Sequence, residues 1–148
     1  MITGENYIGN SRSCRGGKTF TTFNPLTHTE NKIIFNEASN EEIDEAVLLA
    51  SEAFKKYRMI SGKEKAAFLN TIADEILALD DVLIQIYCSE TGLPEGRAIG
   101  ERGRTVFQLR SFADMVAEGS WVNATIDTAL PERTPLPKAD LRKMLIPL

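Results

Sequence analysis

The hydrophobic period of the chain changes at Ser39, and this change constrains the fold more than any other feature of the sequence. Before Ser39, short β-prone runs alternate with turn residues; after it, apolar residues recur three and four positions apart, as on one face of a helix. Ser39 with Glu42, and Ser61 with Glu64, have the spacing of capping boxes, which mark helix N-termini. The middle of the chain is therefore predicted to be helical.

Four helices are predicted between residues 39 and 118. The apolar stripe of the first consists of Ile43, Ala46, Val47, Ala50, Phe54 and Tyr57. That of the second consists of Phe68, Leu69, Ile72, Ala73, Ile76 and Leu77. The pair Asp80-Asp81 interrupts the pattern, so a third helix is expected over residues 82–91, ended by Gly92. Pro94 is expected at the first position of a fourth helix that reaches about Glu118.

The segments that flank the helices have different characters. Residues 19–23 and 31–35 are β-prone and are separated by the proline-bearing turn 24–27, which predicts a hairpin. Beyond Gly119, three prolines between residues 131 and 137 exclude regular helix. Residues 141–146 are expected to form a final strand without a partner. The predicted fold class is α+β, with a β-rich start (1–38), a helical part (39–118) and an irregular proline-rich tail ending in that strand (119–148).

Length and charge exclude several classes of function. The chain has 148 residues, of which 43% are hydrophobic, enough for one ordinary domain but too few for a complete nucleotide-dependent dehydrogenase. Its 17 basic and 21 acidic residues are interspersed, and no basic block indicates a nucleic-acid or lipid partner. No apolar stretch approaches the roughly 20 residues of a membrane span. A cytoplasmic protein is the expectation.

Most of the residues that could act in catalysis or ligand binding are assigned structural roles. Cys14 has basic neighbours that favour a thiolate, but no base or oxyanion donor is identifiable beside it; Cys88 is expected to pack as a small apolar group. His28, the single histidine, falls in the predicted turn. The carboxylates Glu41, Glu42, Asp44 and Glu45 are expected to lie in water at a helix N-terminus. No catalytic, metal-binding or cofactor-binding residue is predicted.

The fourth helix carries the exception. Plotted at 100° per residue, one side is predicted to be core and is formed by Val106, Leu109, Phe112, Ala113 and Val116. On the other side, Arg104, Gln108 and Ser111 follow one another at helical spacing. A guanidinium matches a carboxylate through paired hydrogen bonds, so Arg104 and Gln108 are either a solvated face or a site for an acidic ligand.

Several short motifs, in their order along the chain, resemble the amino-terminal part of the NAD(P)-dependent aldehyde dehydrogenase superfamily. They include Asn24-Pro-Leu-Thr27, Ile72-Ala-Asp-Glu-Ile76 and Glu90-Thr-Gly-Leu-Pro94. A narrower resemblance, to the 2,5-dioxovalerate (α-ketoglutaric semialdehyde) dehydrogenases, is carried by Gly100-Glu-Arg-Gly-Arg-Thr105 and Pro137-Lys-Ala-Asp-Leu-Arg142. Such enzymes oxidise a semialdehyde that bears a carboxylate.

The resemblance implies a partial aldehyde dehydrogenase fold that ends before the family's cofactor segment, catalytic glutamate and catalytic cysteine. It implies that this chain alone is inactive and binds no cofactor, and that the intact enzyme uses NAD or NADP and forms a homo-oligomer. It places Arg104, with Gln108, at the aldehyde entrance as substrate-binding residues. The expected partner is the remainder of the dehydrogenase. The alternative is a non-catalytic helical interaction module derived from such an enzyme.

Overall fold

Three antiparallel strand pairs and four helices make up the computed structural model, which describes residues 2–145. In chain order the elements are β1 (Asn6–Ile8), β2 (Ser11–Ser13), β3 (Thr19–Asn24), β4 (Thr29–Asn36), α1 (Asn40–Tyr57), α2 (Gly62–Ala78), α3 (Asp80–Thr91), α4 (Glu95–Glu118), β5 (Thr125–Asp127) and β6 (Leu141–Lys143). The predicted α+β class, with its hairpin and four helices, is confirmed.

Two hairpins precede the helices. The predicted one is β3–β4, in which Phe20 lies opposite Phe35 and the two rings stack 5.6 Å apart. Its turn is held by the side-chain oxygen of Asn24, which accepts hydrogen bonds from the backbone N–H groups of Leu26 (2.9 Å) and Thr27 (3.3 Å). The other hairpin, β1–β2, was not predicted, because strands of three residues are too short to show a period.

The prediction of an unpartnered final strand is wrong. Strand β6 pairs antiparallel with β5, and Arg142 lies opposite Ile126. Ile146, the predicted end of the strand, lies outside the described residues. The short β5 follows a single 3₁₀ turn at Ser120–Val122. No local pattern indicated the pairing, since it joins segments that are separated by the proline-rich loop.

Both capping boxes are confirmed, whereas two helix starts differ from the prediction. Ser39 and Ser61 each accept a hydrogen bond from the backbone three residues later, and the glutamate there bonds back. Helix α3 begins at Asp80 rather than at residue 82, and the left-handed φ of Asp80 (43°) separates it from α2. Pro94 is the extended N-cap of α4, not its first helical residue, so α4 begins at Glu95.

The core lies mainly between α2 and α4. Ala66 and Ala73 of α2, and Ala98, Val106 and Ala113 of α4, are buried. Small side chains at these positions let the two helix backbones approach closely. At one end the approach is closer still, because a Cβ on Gly62 would lie 2.2 Å from the carbonyl oxygen of Val116.

The buried carboxylate of Glu42 joins the amino-terminal hairpin to α1. Its side chain is 0% exposed, which corrects the prediction that this carboxylate lies in water. One oxygen accepts hydrogen bonds from the Ser13 hydroxyl and from the backbone N–H of Arg15 (3.0 Å), and the other accepts from the N–H of Ser39 (2.8 Å). These donors, the Ser13 hydroxyl first, lower the pKa of Glu42 to about 2.

Most of the apolar stripe of α1 is exposed among the described residues, although Tyr57 at its end packs edge-on against Phe68 of α2, with the ring centroids 5.8 Å apart. Val47 is 66% exposed and Phe54 is 43% exposed, although the sequence pattern is that of a core-facing helix. Within residues 2–145, α1 contacts mainly β1. An apolar face of this extent is typical of a surface that packs against another segment or protein.

No helix among the described residues combines the length and apolarity needed to cross a bilayer.

We expect Glu42→Gln to lower the melting temperature of the chain at pH 7, because an amide turns an N–H group toward donors that need an acceptor. The folded-state pKa of about 2 lies below the ordinary value of 4.5, so the contribution of the carboxylate is complete above pH 4.5 and is lost as the pH falls toward 2. Thermal melts followed by circular dichroism from pH 7 to pH 2 measure both effects.

Asp44→Asn is the matched control, since Asp44 is an exposed carboxylate on the same helix. Its melting temperature should stay close to that of the wild type across the pH range. A difference between the wild type and Glu42→Gln that stays constant down to pH 2 would show that the Glu42 carboxylate is not the titrating group.

We expect Gly103→Ala to stabilise the chain by about 0.5–1 kcal/mol, because alanine loses less backbone entropy in a helix than glycine does. Gly103 lies inside α4, and no atom lies within 4 Å of the added Cβ. Gly119→Ala is the matched control with the opposite sign: space is also open there, but φ is +85°, which strains alanine. Denaturant unfolding measures the change in the free energy of unfolding, which should be positive for Gly103→Ala and negative for Gly119→Ala. A lower stability of Gly103→Ala would show that the added methyl group is not accommodated.

Candidate functional site

An open groove of about 570 Å³ runs along α4 beside α2. Its walls come from one side of α4 and from Leu69 of α2. Both residues predicted to bind substrate, Arg104 and Gln108, line this groove, whereas Ser111, the third residue of the predicted polar side, does not. The groove exists because α2 packs on Val106 and Ala113 and leaves the adjacent strip of α4 uncovered.

The polar part of the groove is formed by residues one helical turn apart. Glu101, Arg104, Thr105 and Gln108 all face it, as their spacing of three and four residues requires. The hydroxyl of Thr105 donates to the backbone carbonyl of Glu101 (3.0 Å), so its proton is already engaged. The side chains of Arg104 and Gln108 are the groups that can donate hydrogen bonds to an anion in the groove.

Among the described residues, Arg104 differs from the other arginines of α4 in having no acidic partner. Arg97 pairs with Glu101, Arg102 lies 3.9 Å from Asp80, and Arg110 lies 2.8 Å from Asp74. Arg102 also donates to the backbone carbonyl of Asp80, and its side chain is only 18% exposed. Within residues 2–145, no hydrogen bond or ion pair engages the Arg104 guanidinium.

The rest of the groove is apolar, which corrects part of the predicted core. Leu109, Phe112 and Val116 were expected inside, yet they line the groove, and Phe112 is 52% exposed. Helix α2 covers the strip that contains Val106 and Ala113 fully, so Leu109 and Val116 beside it are only half-buried within residues 2–145. A cation beside an apolar wall suits a ligand with an anionic end and a hydrocarbon chain.

Glu101 places a negative charge in the same groove. Its carboxylate is held by Arg97, with 2.5 Å between Nη2 of Arg97 and Oε1 of Glu101. Arg97, Glu101, Arg104 and Gln108 fall within about 60° of one another around the helix axis, so they form one row along α4. Glu101 therefore has an arginine on each side and pairs with the one that lies nearer the helix N-terminus.

The cysteines and the histidine, which could act as nucleophiles, bases or metal ligands, lie outside this groove. Cys14 and His28 are exposed and Cys88 is half-buried. Among residues 2–145, no three His, Cys, Asp or Glu side chains are grouped to hold a metal ion. The sheets in that range are all antiparallel pairs, and no glycine-rich turn joins a parallel strand to a helix. The described residues thus do not form the strand–turn–helix unit that cradles a dinucleotide.

The sequence did not reveal Leu69, Glu101 or Thr105 as groove residues. Their helical spacing from Arg104 and Gln108 was a usable signal for Glu101 and Thr105. For Leu69 no local signal existed, because it reaches the groove from another helix. Arg104 and Gln108 were predicted because a permanent charge and an amide follow one another at helical spacing and because the family resemblance placed this helix at the aldehyde entrance.

Residues 12–136 match the model of the aldehyde dehydrogenase family. The chain belongs to that family. It is 45% identical over 143 residues to α-ketoglutaric semialdehyde dehydrogenase 2 of Azospirillum brasilense, covering 96% of this chain, and 38% identical to the α-ketoglutaric semialdehyde dehydrogenase of Acinetobacter baylyi, covering 97%. It spans only 27% of the length of each of these curated relatives.

Solved structures of the family share the fold of this dehydrogenase fragment. Succinate-semialdehyde dehydrogenase from Burkholderia pseudomallei superposes with a TM-score of 0.74 at 27% identity, covering 86% of this chain and 26% of that one. A betaine aldehyde dehydrogenase variant from Staphylococcus aureus, solved with NAD+, gives 0.76 at 17% identity over 88% of this chain and 26% of that one. The described residues therefore form a partial aldehyde dehydrogenase fold.

Proposed function

We propose that this chain is the front part of an NAD(P)-dependent dehydrogenase that oxidises α-ketoglutaric semialdehyde to the dicarboxylate. The names of the two relatives at 45% and 38% identity support this substrate. In the proposal, residues 1–148 precede the cofactor segment and the catalytic glutamate and cysteine, and by themselves they do not catalyse the oxidation. The choice between NAD and NADP is left to those later residues.

Within that enzyme, Arg104 and Gln108 bind the carboxylate of the substrate. The observation that carries this assignment is that the Arg104 guanidinium beside the groove has no partner among the described residues. The three other arginines of α4 all have acidic partners. A guanidinium donates two parallel hydrogen bonds to a carboxylate, and the amide of Gln108, one turn along, supplies a third donor.

The apolar side chains of the groove have a complementary role in the proposal. Leu109 and Phe112 lie within about two helical turns of Arg104, so the two methylene groups beyond the keto carbon of the bound substrate would meet apolar side chains rather than water. Binding at the carboxylate end fixes where the distant aldehyde lies. Energy from this remote contact then serves to orient the reacting group, which the rest of the enzyme must attack.

The exposed apolar surface of α1 bears on how this chain would associate with other parts of the enzyme. The apolar stripe of α1 would pack against the remainder of the dehydrogenase, and the intact enzyme would be a homo-oligomer. The same exposed stripe is the specific observation in favour of the second candidate, a non-catalytic interaction module. The cytoplasmic setting stays a prediction from composition.

We expect Arg104→Ala, in the complete dehydrogenase that contains these residues, to lower kcat/KM for α-ketoglutaric semialdehyde about 10- to 150-fold. A hydrogen-bonded ionic contact contributes about 1.5–3 kcal/mol, which gives that range. Pentanal, an uncharged aldehyde of the same chain length, should be affected less than about twofold. Steady-state kinetics with both substrates measure the selectivity.

Arg110→Ala is the matched control, because Arg110 is another exposed arginine of α4 but pairs with Asp74 and does not line the groove. It should leave the ratio of the two kcat/KM values unchanged. An equal loss for both substrates in Arg104→Ala would refute carboxylate binding by Arg104.

We expect the chain alone to reduce no NAD(P)+ with α-ketoglutaric semialdehyde, and activity to appear when it is mixed with a separately folded downstream part of the dehydrogenase. The reason is that the two parts would bury the apolar stripe of α1 and complete the active site. The absorbance of the reduced cofactor reports the reaction. An inactive mixture, with both parts shown to be folded, would instead favour the interaction module.

A further inference from the structure

Arg97 stands at a position of α4 where a positive charge does not stabilise the helix. It lies in the first turn of α4, where the helix dipole disfavours a positive charge. Its pair with Glu101 also has the less favourable direction for a helix, with the cation four residues before the anion. Stabilisation of α4 is thus a poor explanation for this arginine.

Arg104 is a second arginine that helical spacing places within reach of the Glu101 carboxylate. The two residues are three positions apart and line the same groove, a spacing at which oppositely charged side chains on a helix meet. If Glu101 turned toward Arg104, its carboxylate would occupy the same guanidinium donors that an acidic ligand needs. The structure instead shows Glu101 bound to Arg97, 2.5 Å away, and Arg104 without a partner in the part of the chain described.

We infer that Arg97 is a positioning residue that holds the Glu101 carboxylate away from Arg104 and so keeps Arg104 available for an acidic aldehyde. This inference rests on the proposed function of Arg104 and adds a determinant of specificity to it. Arg97 does not line the groove, so it acts through Glu101 and not by contact with the substrate. A neutral aldehyde gains nothing from a free Arg104, so its binding is independent of Arg97.

The test is a double-mutant cycle in the complete dehydrogenase with Arg97→Gln, Glu101→Gln and the variant that combines them. Arg97→Gln should raise KM for α-ketoglutaric semialdehyde about two- to fivefold, the range expected for an exposed ion pair, with kcat unchanged. Its KM for pentanal should not change. In the Glu101→Gln background, Arg97→Gln should have no effect on either substrate, because the competing carboxylate is gone.

Two further variants of Arg97 complete the design. Arg97→Lys keeps the ion pair, so its KM should stay near the wild-type value. Should Arg97→Gln fail to fold, Arg97→Ala removes the same charge with a good helix former and completes the same cycle. A rise in KM that persists in the Glu101→Gln background would overturn the inference, because Arg97 would then attract the substrate directly. Equal KM for wild type and the charge-removing variant would overturn it as well.

Failure of this inference is distinguishable from failure of the proposed function. If Arg104→Ala loses activity equally for the acidic and neutral aldehydes, the carboxylate site itself is wrong. If Arg104→Ala is selective but the Arg97 and Glu101 variants show no coupling, the site stands and the role of Arg97 is refuted.

Discussion

Close packing of α4 on α2 is the constraint on which the rest of the helical part depends. Buried small residues, Ala66 and Ala73 on α2 and Val106 and Ala113 on α4, let the two helices approach without large side chains between them. The contact fixes the rotation of α4 about its own axis. That rotation in turn decides which strip of α4 faces the groove and which faces solvent.

A second constraint is electrostatic and lies along α4 itself. Acidic residues from the preceding helices neutralise two of its arginines: Asp74 meets Arg110, and Asp80 meets Arg102. Arg97 is paired within the helix. A permanent charge left without a partner beside an apolar wall can bind an anion without first breaking an existing ion pair, which is why the carboxylate site is proposed at Arg104.

The amino-terminal part is held by a different device. Glu42 serves two purposes with one carboxylate, since it completes the capping box of α1 and also accepts hydrogen bonds from the end of β2 and the residue after Cys14. A buried carboxylate is tolerated there because several donors satisfy it. The capping-box spacing predicted the local bond to Ser39, but the hairpin that covers Glu42 comes from nearly thirty residues earlier.

The carboxylate site at Arg104 and Gln108 stays a proposal, whereas the sequence by itself determined the presence of four helices, the β3–β4 turn and the family. These follow from short-range rules of periodicity, capping and motif order, which act within a few turns of chain. Only the tertiary structure decided the burial of Glu42, the pairing of β5 with β6, and the exposure of Phe112 and of the α1 stripe. Each of these depends on which distant segment covers a given side chain. An apolar pattern indicates that a face tends to be buried, but it does not indicate which segment packs against that face.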